Sequence, residues 1–188
     1  MIDRLSSWGA SPVAANHPLH GWLTESASLT ARITARCGSL RVALLSQRLG
    51  RPHRDEATLL GLRTGEQACL REVLLLADER PVVYARSLLR RESLRGAWVM
   101  FGGIGTRPLG AALFADPLIR RGPLSVRRFD QRDARHGHVR RQLGQHDPLY
   151  AGVEIGEALW ARRSCFVRRG QPLIVCEVFL PAILELRK

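Results

Sequence analysis

At 188 residues the chain has the size of one domain, and 45% apolar residues are enough for a packed core. No apolar run reaches the length of a membrane span, and MIDRLSSWGASPVAANHP lacks the apolar stretch of a secretory signal, so the cytoplasm is the expected compartment. The net charge of +12 is almost all arginine, the only lysine being Lys188. Without an RNP motif, zinc-finger spacing or heptad basic region, it argues for compositional bias as much as for a nucleic-acid partner.

Residues 1–18 are polar with Pro12 and Pro18, and predict a loose arm that Trp8 can anchor; 19–188 form a single domain. Leu19, Leu23, Leu29 and Ile33 recur at helical spacing, so His20–Arg36 reads as a short helix-turn-helix, with Thr24 or Ser26 as the second cap. Strands are predicted at 40–48, 69–77, 82–89, 124–130, 159–168 and 172–180, with short helices at Asp55–Leu62 and Arg91–Trp98. Asp78 to Pro81 turns one hairpin, and Arg168 to Gln171, with Gly170 supplying a positive φ, turns another. Arg86, a lone charge in the strand 82–89, reads as an exposed or edge residue. Phe101-Gly102-Gly103-Ile104-Gly105 lacks the G-K-[ST] ending and βαβ context of a phosphate loop, and reads as a hinge. Thr106 as cap and Pro108 in the first turn start a helix at Leu109–Phe114. The stretch 131–150, QRDARHGHVRRQLGQHDPLY, is polar and reads as a mobile surface loop. The whole predicts an α+β fold: a mainly antiparallel sheet of about six strands with helices over one side.

Among the charges that stand in apolar strands, two of opposite sign bear on a site. Glu177 lies in PLIVCEVFL and Arg71 in CLREVLLLA, and each needs a partner if buried. Either the two form a structural ion pair, or Arg71 holds a ligand carboxylate in a cavity with Glu177 at its other polar end. Strand alternation places Arg162 and Arg163 on opposite faces, so at most one can join them. His136, His138 and His146 have no Cys or acidic residue at a fixed spacing to complete a metal set, so no metal is expected. Cys37, Cys69, Cys165 and Cys176 show no C-x-x-C spacing and read as small apolar residues in a reducing compartment.

Several runs carry a resemblance: LREVLLLAD at Leu70–Asp78, GTRPLGAALF at Gly105–Phe114, LWARRS at Leu159–Ser164, and GQPL with EVFLPA between Gly170 and Ala182. In order and spacing the chain, from about Leu19 to Ala182, resembles the bacterial chorismate pyruvate-lyases, which make 4-hydroxybenzoate and pyruvate from chorismate on the way to ubiquinone. The resemblance implies a cofactor-independent carbon–oxygen lyase with two helical flaps over an internal site. It places Arg71 on the substrate carboxylate, the backbone N–H of Leu109 beside it, and Glu177 on the ring hydroxyl. It also implies a backbone contact at Leu29, where the family has S-M-T and this chain Ser28-Leu29-Thr30; Leu29 reads equally as helix core. The expected partners are chorismate and product, with product inhibition, no nucleic acid, no transmembrane segment and a monomeric state. The stretch 131–150 departs from the family as a polar insertion. The effector domains of one group of bacterial regulators resemble the lyases in fold, so the alternative is a non-catalytic sensor of aromatic carboxylates. Those regulators carry a winged helix before that domain, and here only a short arm precedes it.

Overall fold

Apolar runs joined by two-residue turns favour antiparallel hairpins, and the chain forms two of them. In the computed structural model, which describes residues 8–9, 13–146, 150, 152–153 and 155–186 (of His146 the backbone only), β2 (Ala68–Ala77) turns into β3 (Arg80–Arg90) through Asp78 and Glu79, with φ of 47° and 64°. Left-handed backbone is costly for such residues, and Asp78 offsets it by accepting the N–H groups of Gly38 and Ser39. The second hairpin joins β6 (Ala158–Arg168) to β7 (Gln171–Phe179) through Arg169 and Gly170, with φ of 49° and 75°. β1 (Leu40–Gly50) lies beside β2, while β4 (Ile119–Arg121) and β5 (Ser125–Asp130) share one edge of β6. The result is a seven-stranded antiparallel sheet, ordered β1-β2-β3-β7-β6-β4 with β5 on β6. All six expected strands are present. β4, with three residues, is too short to show a strand period in sequence.

On one face of the sheet lie α1 (His20–Thr24), α2 (Leu29–Thr34), α4 (Val99–Gly102) and α5 (Leu109–Ala115). Leu23, Leu29 and Ile33 pack there on Val73, Leu75 and Val83. Ser28, and not Thr24 or Ser26, caps α2 by accepting from Ala31 N, because Ser28 takes the extended backbone an N-cap needs. The other face carries α3 (Arg54–Leu60) and α6 (Ala134–His146). The expected mobile loop at 131–150 is therefore corrected to a packed helix over 134–146. Val139 and Leu143, four residues apart, reach Leu74, Leu76 and Tyr84, and this single apolar stripe is swamped in sequence by charged neighbours. With both faces covered, every residue of β2 is buried. Residues 147–149, 151 and 154 lie outside the described residues. The arm is packed where described: Trp8 donates to Asp55 at 2.8 Å, Gly9 bridges Val126, and Val13 is buried.

Arg86 also requires correction. β3 is a central strand between β2 and β7, so Arg86 is buried, 3.4 Å from Glu56 and 3.7 Å from Glu72. Glu72 points to this back face and accepts from His138 at 2.6 Å, Tyr84 at 2.7 Å and Ser46 at 2.8 Å. Burial alone would push its carboxyl up, but these hydrogen bonds outweigh it and hold the group at about 2. A depressed carboxylate adds stability above its unfolded value and loses it as pH falls through its folded value. From 4.5 down to about 2 that amounts to roughly 3 kcal/mol. Glu72→Gln is expected to lose about that much at pH 7 and little at pH 2, read from urea midpoints at the two pH values.

Candidate active site

The register of the sheet places two rows of side chains on the flap face. Arg71 stands beside Ser87, Ser87 beside Val175, and Val175 beside Ser164. Two residues along each strand, Val73 stands beside Ala85, Ala85 beside Glu177, and Glu177 beside Arg162. Ser87, Val175 and Ala85 are small side chains lying between Arg71 and the Glu177–Arg162 pair, so the floor is hollow there. The rows run across four strands, about 14 Å from β2 to β6. Above them is a cavity lined by all eight of these residues. The first flap contributes Leu29 and Thr30, and the second Pro108, Leu109, Gly110 and Leu113. The flaps meet at Gly110, where a Cβ would lie 3.3 Å from Thr30 Oγ1.

Arg71 is 2% exposed and has no carboxylate partner among the described residues. Its Nη2 donates to the carbonyls of Gly105 at 2.8 Å and Arg107 at 3.2 Å, while its buried Nε has no partner among the described residues. Burial pulls the guanidinium down to about 10, so it stays charged at neutral pH. A buried cation without a counter-ion is costly, and an anion in the cavity would relieve the cost. Gly105, at φ 55°, belongs to the loop expected to be a hinge; its role is to turn a carbonyl toward Arg71.

The Arg71–Glu177 ion pair is absent, and Glu177 pairs with Arg162 instead, at 2.5 Å. Arg162, 1% exposed, also donates to the carbonyls of Trp22 and Glu25, tying the first flap to the sheet. Alternation along β6 separates the two arginines: Arg163 points to the back face, where it meets Asp55 at 2.7 Å. Glu177 Oε1 accepts no hydrogen bond among the described residues, which leaves that oxygen for a ligand.

Leu109 and Leu29 are the first residues of α5 and α2, and the N–H groups of a first turn have no acceptor within the helix. Their side chains are buried, so Leu29 is also the core residue of the second reading. Pro108, not Thr106, takes the N-cap position of α5, with extended backbone and no side-chain cap. Sequence reasoning missed Arg121, which also lines the cavity. It sits on the short β4, among arginines that nothing in the sequence distinguishes.

On the back face His138 bonds Glu72, and His136 contacts the carbonyl of Gly156 at 3.0 Å. Among the described residues no group of three His, Cys, Asp or Glu is placed to hold a metal, and no helix is long and apolar enough to cross a membrane. The four cysteines are free thiols.

Solved structures share the fold. The effector domain of PhnF from Mycobacterium smegmatis matches with a TM-score of 0.54 and 15% identity, covering 82% of this chain and 89% of that one. The C-terminal domain of the histidine utilization repressor from Pseudomonas syringae pv. tomato matches at 0.53 and 10%, covering 80% and 95%. Closer in sequence are two proteins named "Probable chorismate pyruvate-lyase". That of Aromatoleum aromaticum is 56% identical, covering 89% of this chain and 87% of the relative. That of Azoarcus sp. is 53% identical, covering 96% and 93%. The family model "Chorismate lyase" matches residues 10–187. Identity at this level over nearly the whole of both chains shows that this protein belongs to the chorismate lyase family.

Proposed function

We propose that the protein converts chorismate to 4-hydroxybenzoate and pyruvate without a cofactor. One observation carries the reading: a buried Arg71, without a carboxylate partner among the described residues, faces Glu177 across a floor of small residues. Chorismate has a ring carboxylate, a hydroxyl para to it, and an enolpyruvyl ether beside the hydroxyl. Arg71, with the N–H groups of Leu109 and Leu29, holds the ring carboxylate. The free oxygen of Glu177 accepts from the hydroxyl. The ring gives up the proton on the hydroxyl-bearing carbon, and the electron pair of the adjacent carbon–oxygen bond leaves with enolpyruvate. Enolpyruvate takes up a proton at its methylene carbon to become pyruvate. Aromatisation drives the step, so the protein mainly binds, orients and excludes water. Glu177, beside the carbon that loses the proton, is placed to relay it. In this reading the enzyme is a cytoplasmic monomer whose product enters ubiquinone synthesis.

The test mixes purified protein with chorismate and a chelator and follows both products. Equimolar 4-hydroxybenzoate and pyruvate are expected. Because the flaps close over the site and Arg71 also holds the product carboxylate, the first turnover should be fast and the later ones limited by product release. A burst near one equivalent of enzyme, with inhibition by added 4-hydroxybenzoate, is the expected trace; a linear trace would remove the release-limited step. Saturable 4-hydroxybenzoate binding without turnover would make the protein a sensor and refute the lyase reading.

A further inference from the structure

The cavity holds three arginines, and they are not equivalent. Arg162 is neutralised by Glu177 through Nε, and its Nη1 donates to two flap carbonyls. Arg71 stands at one end of the upper row. Arg121 reaches in over the other end, where its Nε and Nη2 both donate to Ser164 Oγ, at 2.9 and 2.7 Å. Its Nη1 donates to the carbonyl of Ser26, in the first flap. It pairs with no carboxylate among the described residues, and its guanidinium lies over the rings of Phe114 and Phe166. Burial lowers its pKa, the charge of Arg162 adds to that, and Glu177 opposes it, so Arg121 stands in the field of the Arg162–Glu177 pair. Two donors sharing one hydroxyl is a poor use of a guanidinium fork, whose spacing fits the two oxygens of a carboxylate.

Arg121 therefore offers a second anion site at the Glu177 end of the cavity. We infer that Arg121, with Ser164, binds the enolpyruvyl carboxylate of chorismate. The inference rests on the lyase reading above. It also follows from the shape of the substrate: with the ring carboxylate on Arg71 and the hydroxyl on Glu177, the ether on the next ring carbon projects from the Glu177 end. Its carboxylate then needs a cation there that Glu177 has not already neutralised. Arg121 is that cation, and Ser164, buried beneath it, is released to donate its own proton. Its grip on the flap carbonyl of Ser26 links occupation of this site to the closed flap. After cleavage the second carboxylate leaves with pyruvate, so Arg121 is a contact for substrate and not for the aromatic product.

This asymmetry supplies the test. Arg121→Gln is compared with wild type for KM of chorismate and for Kd of 4-hydroxybenzoate, which has one carboxylate. The expected result is KM raised at least about tenfold with Kd changed less than about twofold. The retained 4-hydroxybenzoate affinity shows that the site has folded. Equal loss of both, or change in neither, overturns the inference. Arg121→Lys, which keeps the charge but not the fork, should fall between the two and covers the case in which Gln disturbs the flap. A second readout needs no turnover: 3-(carboxymethoxy)-4-hydroxybenzoate, which carries a second carboxylate on an ether, should bind wild type more tightly than 4-hydroxybenzoate and lose that advantage in Arg121→Gln. No advantage in wild type refutes the site. Absence of wild-type turnover refutes the lyase reading instead, so the two failures remain distinct.

Discussion

Arg71→Ala is expected to abolish chorismate turnover and to weaken 4-hydroxybenzoate binding by about 30-fold or more, because truncating one partner of a buried charge pair costs about 2–5 kcal/mol. The same change should not destabilise the empty protein. In the absence of ligand Arg71 is a buried cation with two carbonyls and no carboxylate among the described residues. Removing it deletes an uncompensated desolvation cost, so Arg71→Met, which refills the volume, should match or exceed wild-type stability by about 1 kcal/mol. A purely structural arginine predicts the reverse: a lower melting temperature with binding unchanged. Calorimetric titration of 4-hydroxybenzoate together with urea unfolding separates the two. Wild-type turnover by Arg71→Ala would sink the assignment.

Glu177→Gln should leave the fold intact and lower kcat by about 100-fold or more, the range of positioned acid–base groups. Glutamine can still accept from Arg162 Nε through its amide oxygen, so the tie from the sheet to the first flap is kept. What is lost is the negative oxygen facing the substrate hydroxyl and ring proton. Because 4-hydroxybenzoate keeps its contact to Arg71, its Kd should rise no more than about tenfold. Single-turnover rates with a matched product titration test this. An unchanged kcat would confine Glu177 to holding Arg162.

Sequence reached the strands because their apolar runs are long and their turns are short. It also singled out Arg71 and Glu177, both of which line the cavity, because a charge inside such a run stands out. It missed α6, whose apolar stripe is only Val139 and Leu143 at its core among arginines and histidines. It misplaced Arg86 for a related reason: whether a strand is central or at an edge depends on which strands pair across the sheet. Arg121 was invisible, one arginine among 29 basic residues, until β4 set it above Ser164.

By itself the sequence determined an antiparallel sheet, a flap helix opening at Leu109, two charges that require partners, and motifs that resemble one family. Only the tertiary structure decided which charges meet. Local sequence fixes the alternation of side chains along a strand, and so separates Arg162 from Arg163. Register and strand order are long-range choices, made by burial across the whole sheet. They set Glu177 beside Arg162 rather than Arg71, and in doing so left Arg71 a buried charge with no carboxylate partner among the described residues.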